Sequence, residues 1–292
     1  MKAIIWGASG QDGYYLSQLL SSEGVDLVNI SRSTGFLHLN ITDWNDVSEL
    51  IQLHQPDYIF HLAARSTTQH FAWEENHHTI STSTLYLLEA VRLFSPGTKI
   101  FLSGSGLQFK NDGRPIKESD PFDATSIYAV SRIHTVYAAR YYRKLGLKVY
   151  IGYFFNHDSP LRSDKHISRM ITDAVKRIAS GQTEKISIGD MSVRKEWGFA
   201  GDIVKAVWTL VRQDSVFEAT IGTGKAYSIG DWIRACFEYI GLDPAGHVEE
   251  VKGFTPEYKI LVSDPATLFS LGWRPEVSFR DLAKMMMDKY EE

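Results

Sequence analysis

The segment MKAIIWGASGQDG, Met1–Gly13, decides the fold. Lys2 to Trp6 is a short apolar run of the kind a buried parallel strand uses. Gly7, Gly10 and Gly13 follow at G-x-x-G-x-x-G spacing, and Tyr14, Leu16, Leu19 and Leu20 then recur at helical period. A strand, a glycine turn and a helix in succession bring bare backbone N–H groups and the positive helix end to one point, where a pyrophosphate docks. Gly7 is expected to make the tight turn, Gly10 to let phosphates approach the backbone, and Gly13 to let helix pack on strand. In this context the spacing predicts a dinucleotide site; an ordinary strand–helix turn is the competing reading.

Working outward, Val25 to Ile30 reads as a second strand that ends in Ser31-Arg32-Ser33. An acidic residue there would hold the ribose 2′-hydroxyl of NAD. Arg32 and its flanking hydroxyls suit a 2′-phosphate instead, which predicts NADP over NAD. Phe36 to Leu39 reads as a short third strand, with Thr42 or Asp43 capping the helix after it. Further strands are expected at Tyr58 to Leu62, Lys99 to Ser103 and Val149 to Phe155. Helices at Thr79 to Phe94 and Ile127 to Leu145 alternate with them, and Pro96-Gly97 stops the first. This rhythm predicts an α/β fold, a doubly wound Rossmann-type parallel sheet. Beyond Asn156 the rhythm changes. Helices are expected at Ile167 to Ala179, Asp202 to Arg212, Ile229 to Tyr239 and Phe279 to Tyr290, with strands at Lys185 to Ile188 and Phe217 to Ile221. The expected organisation is a Rossmann domain over 1–155 with returning segments near 196–222. A smaller mixed α/β substrate lobe is expected from 156–195 and 223–292, and the cleft between them would take the substrate.

Bulk properties narrow the function. The 292 residues are 43% hydrophobic and 23% charged, and the net charge of −4 offers no basic field for nucleic acid or an anionic membrane. The four apolar residues before Gly7 are too few for a signal peptide, and no apolar run is long enough for a bilayer span, so a cytoplasmic protein is expected. Cys236, the single cysteine, falls among Trp232, Ile233 and Ile240 and reads as a buried, inert thiol. The His77-His78 pair reads as solvated, and no metal site is expected.

Tyr128 and Arg132 are four apart on one predicted helix and share a face. A phenol beside a cation can exchange a proton near neutral pH, because the cation favours tyrosinate. The pair resembles the Tyr-x-x-x-Lys of short-chain dehydrogenases/reductases. GASGQDGYYLSQLL (Gly7–Leu20), YAVSR (Tyr128–Arg132), FFNHDSPLR (Phe154–Arg162), GDMSVRKEWGFAGDIVKA (Gly189–Ala206) and LGWRPEVSF (Leu271–Phe279) extend the likeness over nearly the whole chain. They identify it as similar to the extended members that modify nucleotide sugars, specifically the GDP-mannose 4,6-dehydratase family. The resemblance implies NADP contacts at Gly7, Gly10, Gln11, Asp12, Gly13, Arg32, Asn40, Ile41, Leu62, Ala63, Ala64, Tyr128, Arg132, His157 and Arg162. It implies a nucleoside-diphosphate sugar near Ser66 and Asn156, with Arg169, Arg194 and Lys195 as cations for its diphosphate. It also implies a homodimer through the helices containing Thr79–Phe94 and Ile127–Leu145.

Departures from the family pattern bear on the reaction. A hydroxyl residue after the fifth strand and a glutamate two positions on, the acid/base for water loss, become Gly104 and Gly106. Ser105 is the hydroxyl that a shifted loop would bring in. The lysine becomes Arg132, and two cations of the nucleotide pocket become Met170 and Phe254; the segment after the second strand shortens to Ser33-Thr34-Gly35. Three readings follow: hydride chemistry at hexose C4 with full 4,6-dehydration, NADPH-dependent reduction of a 4-keto-6-deoxy sugar, or a cofactor-binding partner protein without catalysis.

Overall fold

Strand β1 (Lys2–Trp6) is the pivot of a six-stranded sheet, flanked in parallel by β2 (Asp26–Ile30) and β3 (Tyr58–His61). The computed structural model describes residues 1–183 and 185–288. Helix α1 (Gln11–Ser22) joins β1 to β2, and α2 (Trp44–His54) joins β2 to β3. Helices α3 (Trp73–Asn76) and α4 (Ser83–Phe94) precede β4 (Lys99–Ser105), and α5 (Ile127–Lys144) precedes β5 (Lys148–Phe154). Then come β6 (His157–Asp158), α6 (Ile167–Ala179), β7 (Ile186–Ile188), β8 (Arg194–Glu196), β9 (Gly198–Phe199) and α7 (Ala200–Val211). β10 (Glu218–Ile221) returns to the sheet, before β11 (Ala226–Ser228), α8 (Ile229–Ile240) and β12 (Val248–Glu250). The chain continues through β13 (Ile260–Leu261), α9 (Ala266–Ser270) and α10 (Phe279–Met287).

The strand order is β10-β5-β4-β3-β1-β2, every neighbour parallel. The order reverses between β1 and β3, and the crevice beyond their carboxyl ends is where such sheets bind ligands. Leu16 and Leu20 of α1 and Val204, Val207 and Leu210 of α7 cover one face. Val47 and Ile51 of α2, Leu87 and Val91 of α4, and Val136 and Ala139 of α5 cover the other. A third cluster lies under α6, α8 and α10, where the Trp197 and Trp232 rings stack at 4.4 Å. Cys236 is fully buried in it, and burial pushes its thiol up to about 12.

Several expected boundaries shift. The strand expected at Phe36–Leu39 is a single bridge between Leu37 and Ile30, because the segment meets β2 only at its last residue, with Leu37 and His38 exposed. The first helix begins at Gln11, so Asp12 and Gly13 lie within its first turn. Asp43, not Thr42, caps α2, accepting from the N–H groups of Asn45 at 2.8 Å and Asp46 at 3.2 Å. The helix expected from Thr79 starts at Trp73 and passes through a π-helical segment, His77–Thr82, before α4. The last helix runs to Met287, and Tyr290 lies outside the described residues. Among the described residues no helix is long and apolar enough to cross a membrane.

Candidate active site

The glycine turn is fixed by backbone contact. Gly7 adopts φ +91°, and a Cβ there would lie 2.8 Å from Ala63 N, at the start of the segment after β3. A Cβ on Gly13 would lie 2.2 Å from Gly7 O and 2.6 Å from Ala8 Cα, so the close packing of α1 on the turn admits no side chain. Gly10 is different: a Cβ would meet only Gly7 O, at 3.3 Å. Gly10 is also the N-cap of α1 and supplies no side-chain bond, so the first N–H groups of the helix remain open to an anion.

A cavity of about 790 Å³ opens from this turn along the β1/β3 crevice. Its wall includes Gly7, Gly10, Arg32, Asn40, Ile41, Leu62, Ala63 and Ala64, all sequence-predicted cofactor residues. The wall also carries Ser9, Ser31 and Ser33. Their hydroxyls form a chain: Ser9 Oγ lies 2.5 Å from Ser31 Oγ, and Ser33 Oγ donates to Ser9 Oγ at 3.0 Å. Arg32 reaches outward, its side chain 93% exposed and 3.6 Å from Glu75. Glu75, His78 and Thr79 close the far wall and had no signal in the sequence, since α3 and the π segment bring them in from a helix expected to start later.

Gln11 and Asp12 do not face this cavity. Gln11 Oε1 accepts from the Ser159 hydroxyl at 2.8 Å, and Asp12 Oδ1 lies 2.9 Å from His157 Nε2. The other His157 nitrogen, Nδ1, is 2.7 Å from the carbonyl of Phe155. Both ring nitrogens therefore face acceptor oxygens, an arrangement that only the doubly protonated ring satisfies. Burial alone would lower the His157 pKa, but Asp12 outweighs it and the value rises above the ordinary 6.5. Burial would likewise raise Asp12, yet His157 and then Arg162 carry its pKa below 3.8. Arg162 itself lies 3.1 Å from Asp158, a buried carboxylate that also accepts from Ser168 at 2.7 Å.

At the carboxyl end of β4, the Ser126 hydroxyl accepts from Ala129 N at 3.1 Å and starts α5, setting Tyr128 in its first turn and Arg132 one turn on. Both are buried, with the guanidinium carbon 5.2 Å from the Tyr128 ring centroid. Arg132 Nη1 donates to Ser103 O at 2.5 Å and Ser103 Oγ at 2.8 Å. Its charge and burial together depress the neighbouring His61, burial foremost, to about 3. Ser105 turns into the chain: its hydroxyl accepts from Leu107 N at 3.2 Å and its N–H donates to Gln108 Oε1 at 2.9 Å, closing a capping box.

The two substituted glycines are packed shut. A Cβ on Gly104 would sit 2.7 Å from the Tyr153 ring, and one on Gly106 would sit 2.8 Å from the Phe155 ring. Tyr153 is pinned from behind. Its hydroxyl donates to Glu218 at 2.6 Å, and Arg140 grips that carboxylate through two bonds, at 2.9 and 2.7 Å, with Arg143 at 2.8 Å. The rings of Tyr153 on β5 and of Phe155 just after it thus fill the volume that a hydroxyl residue and a glutamate would need.

The residues expected at the substrate are less concentrated. A second cavity, about 540 Å³, is walled by Gly106, Leu107, Thr125, Glu257, Tyr258 and Lys259 among others. Tyr258, on that wall, donates its hydroxyl to Asn156 Oδ1 at 3.4 Å. Ser66 is exposed on the loop after β3. Arg169 is engaged by Asp173 at 2.9 Å and by the Pro160 carbonyl at 2.7 Å. Arg194 donates to the Ala226 carbonyl, while Lys195 is buried with its ammonium 4.4 Å from the Trp197 ring centroid. Burial lowers the Lys195 pKa, with Arg162 adding to the effect and Asp158 opposing it. Met170 and Phe254 are both exposed.

A reversed parallel sheet, a glycine turn against its switch point and a Tyr-x-x-x-Arg pair at the neighbouring strand end define an extended short-chain dehydrogenase/reductase. The sequence profile of the GDP-mannose 4,6 dehydratase family matches residues 4–286, and the chain belongs to that family. It is 32% identical to GDP-mannose 4,6 dehydratase 1 of Arabidopsis thaliana, across 98% of this chain and 89% of that one. Its fold is similar to that of dTDP-glucose 4,6-dehydratase from Bacillus anthracis in complex with NAD (TM-score 0.85, 17% identity, 98% and 95% of the two chains). It is also similar to that of RMD from Pseudomonas aeruginosa complexed with NADPH (TM-score 0.84, 18% identity, 98% and 97%).

Proposed function

We propose that this chain is an enzyme that binds a nicotinamide dinucleotide, NADP in preference to NAD, and works at C4 of a nucleoside-diphosphate hexose, reducing a 4-keto-6-deoxy sugar. The observation that carries the reading is the buried Tyr128–Arg132 pair, tied through Ser103 to the end of β4 on the sheet whose glycine turn opens the crevice cavity. The open N–H groups of the first turn of α1, just after Gly10, fit a pyrophosphate, and the serines around Arg32 fit a 2′-phosphate. Asn40, Ile41, Leu62, Ala63 and Ala64 would line the adenosine end. The nicotinamide, when bound, supplies a hydride. The chain supplies the proton: the Tyr128 hydroxyl gives one to the C4 oxygen, with the Arg132 guanidinium 5.2 Å from its ring. Arg132 also anchors the end of β4 through Ser103.

Reduction needs no carboxylate at C5–C6, and the Phe155 ring against Gly106 supports a site without one. Family membership supports the second reading, full 4,6-dehydration; the third is a catalytically silent cofactor-binding partner. Purified protein with NADP(H) and a panel of GDP-, CDP-, UDP- and dTDP-linked hexoses and their 4-keto forms separates them. Turnover that Tyr128→Phe lowers by ~10²–10⁴-fold supports the reductase. Water loss from an unmodified hexose supports the dehydratase, and tight dinucleotide binding with no turnover supports the partner protein.

We assign the sugar nucleotide to the cleft bordered by Asn156 and Tyr258, between a Rossmann domain over 1–155 and the lobe of 156–195 and 223–292. The apolar face presented by Leu85, Val130, Tyr137 and Tyr141 on α4 and α5 fits a homodimer, which light scattering at micromolar concentration checks. A cytoplasmic location accords with this chemistry.

A further inference from the structure

We propose that Glu75 sets the balance between phosphorylated and unphosphorylated dinucleotide, holding the chain's preference for a 2′-phosphate below what Arg32 and its serines would otherwise impose. The inference rests on the reading that the crevice cavity holds the adenosine end of the cofactor. Glu75 lies on the wall of that cavity and faces two cations at once: Oε2 is 2.6 Å from Arg65 Nη1, and Oε1 is 3.6 Å from Arg32 Nη2. The other carboxylate on the wall, Asp46, is occupied, accepting from Asn40 N–H at 2.6 Å. Glu75 is thus the acid available to the cation that a 2′-phosphate needs.

A phosphate at the ribose carries close to two negative charges near neutral pH. It would compete with Glu75 for Arg32 and be repelled by the Glu75 carboxylate across the same cavity. A free 2′-hydroxyl meets neither penalty. Ser9, Ser31 and Ser33 offer hydroxyls, which serve an anion or a ribose alike, so the charge contest between Arg32 and Glu75 decides the ratio. The contest is a short-range one at an exposed guanidinium, which bounds its size to a few-fold in affinity.

The test is equilibrium binding of NADPH and NADH by calorimetry to wild type, Glu75→Gln, Arg32→Ala and the double variant. Glu75→Gln is expected to tighten NADPH by about fivefold and to leave NADH within about twofold. In the Arg32→Ala background the same substitution is expected to have a smaller effect on NADPH, since competition for the cation is gone and only the direct carboxylate–phosphate repulsion is relieved. Equal changes for both dinucleotides, or an unaltered NADPH-to-NADH ratio, would overturn the inference alone. Binding of neither dinucleotide to wild type would overturn it together with the cofactor reading on which it rests.

Discussion

The turn after β1 and the end of β4 stand at the carboxyl edge of one sheet with β3 between them, yet the resemblance to the family holds at the first and departs at the second. At the turn, Gly7 and Gly13 are held by main-chain atoms of Ala63, Gly7 and Ala8, which no neighbouring substitution can move aside. At the β4 end, Gly104 and Gly106 are opposed by the side chains of Tyr153 and Phe155, which other residues could replace. A glycine required by backbone is a property of the fold. A glycine enclosed by rings records a choice of chemistry.

Four substitutions or titrations probe that contrast. Gly13→Ala drives a methyl into main-chain oxygen and should cost about 3 kcal/mol or more, lowering Tm by roughly 10 °C in a thermal melt. A melt indistinguishable from wild type would remove the distinction drawn at the turn. The next effect is acid sensitivity at His61, behind Arg132. Its folded pKa of about 3 lies below the ordinary 6.5, so its contribution is complete above pH 6.5 and lost as the pH falls toward 3. Urea midpoints should therefore drop below pH 6.5, by about 1.4 kcal/mol per pH unit from this group, and His61→Asn should flatten that slope.

Gly106→Glu tests the β4 end directly. Alone it overpacks against Phe155 and should cost about 1–3 kcal/mol while conferring no water loss from a hexose. In a Phe155→Ala background the same Gly106→Glu substitution should cost less, because the obstacle is one ring; an unchanged cost would show a rigid backbone there too. The smallest effect belongs to the turn again. His157 has its pKa raised, so its pairing with Asp12 is fully present below pH 6.5 and fades as the pH rises through the folded value. His157→Asn should abolish that alkaline decline, opposite in sign to the decline at His61, when unfolding is followed from pH 6 to 9.

Much of this was legible in the sequence because it is local. The glycine spacing, the apolar strands and the i, i+4 relation of Tyr128 and Arg132 each depend on a few consecutive residues, and all of them form. Arg132 could be placed on the face of Tyr128, but its grip on Ser103 comes from how α5 lies on β4, which local spacing does not encode. The shut volumes at Gly104 and Gly106 come from Tyr153 and Phe155, at and just past the end of β5, some fifty residues on in the chain. Phe36–Leu39 carries strand-forming residues but meets β2 only at its last residue, Ile30, where Leu37 bridges. Glu75 stayed hidden because the irregular π turn after it gave no periodic signal.

The bonds from Gln11 to Ser159 and from Asp12 to His157 rivet the opening of α1 to the loop that follows β5. A phosphate settling on the amides of α1 therefore stiffens a stretch nearly 150 positions away in the sequence, without touching it. In hydrogen exchange, the amides around Gly10 and those of Phe155 to Leu161 should share one opening rate, and a dinucleotide should slow both together.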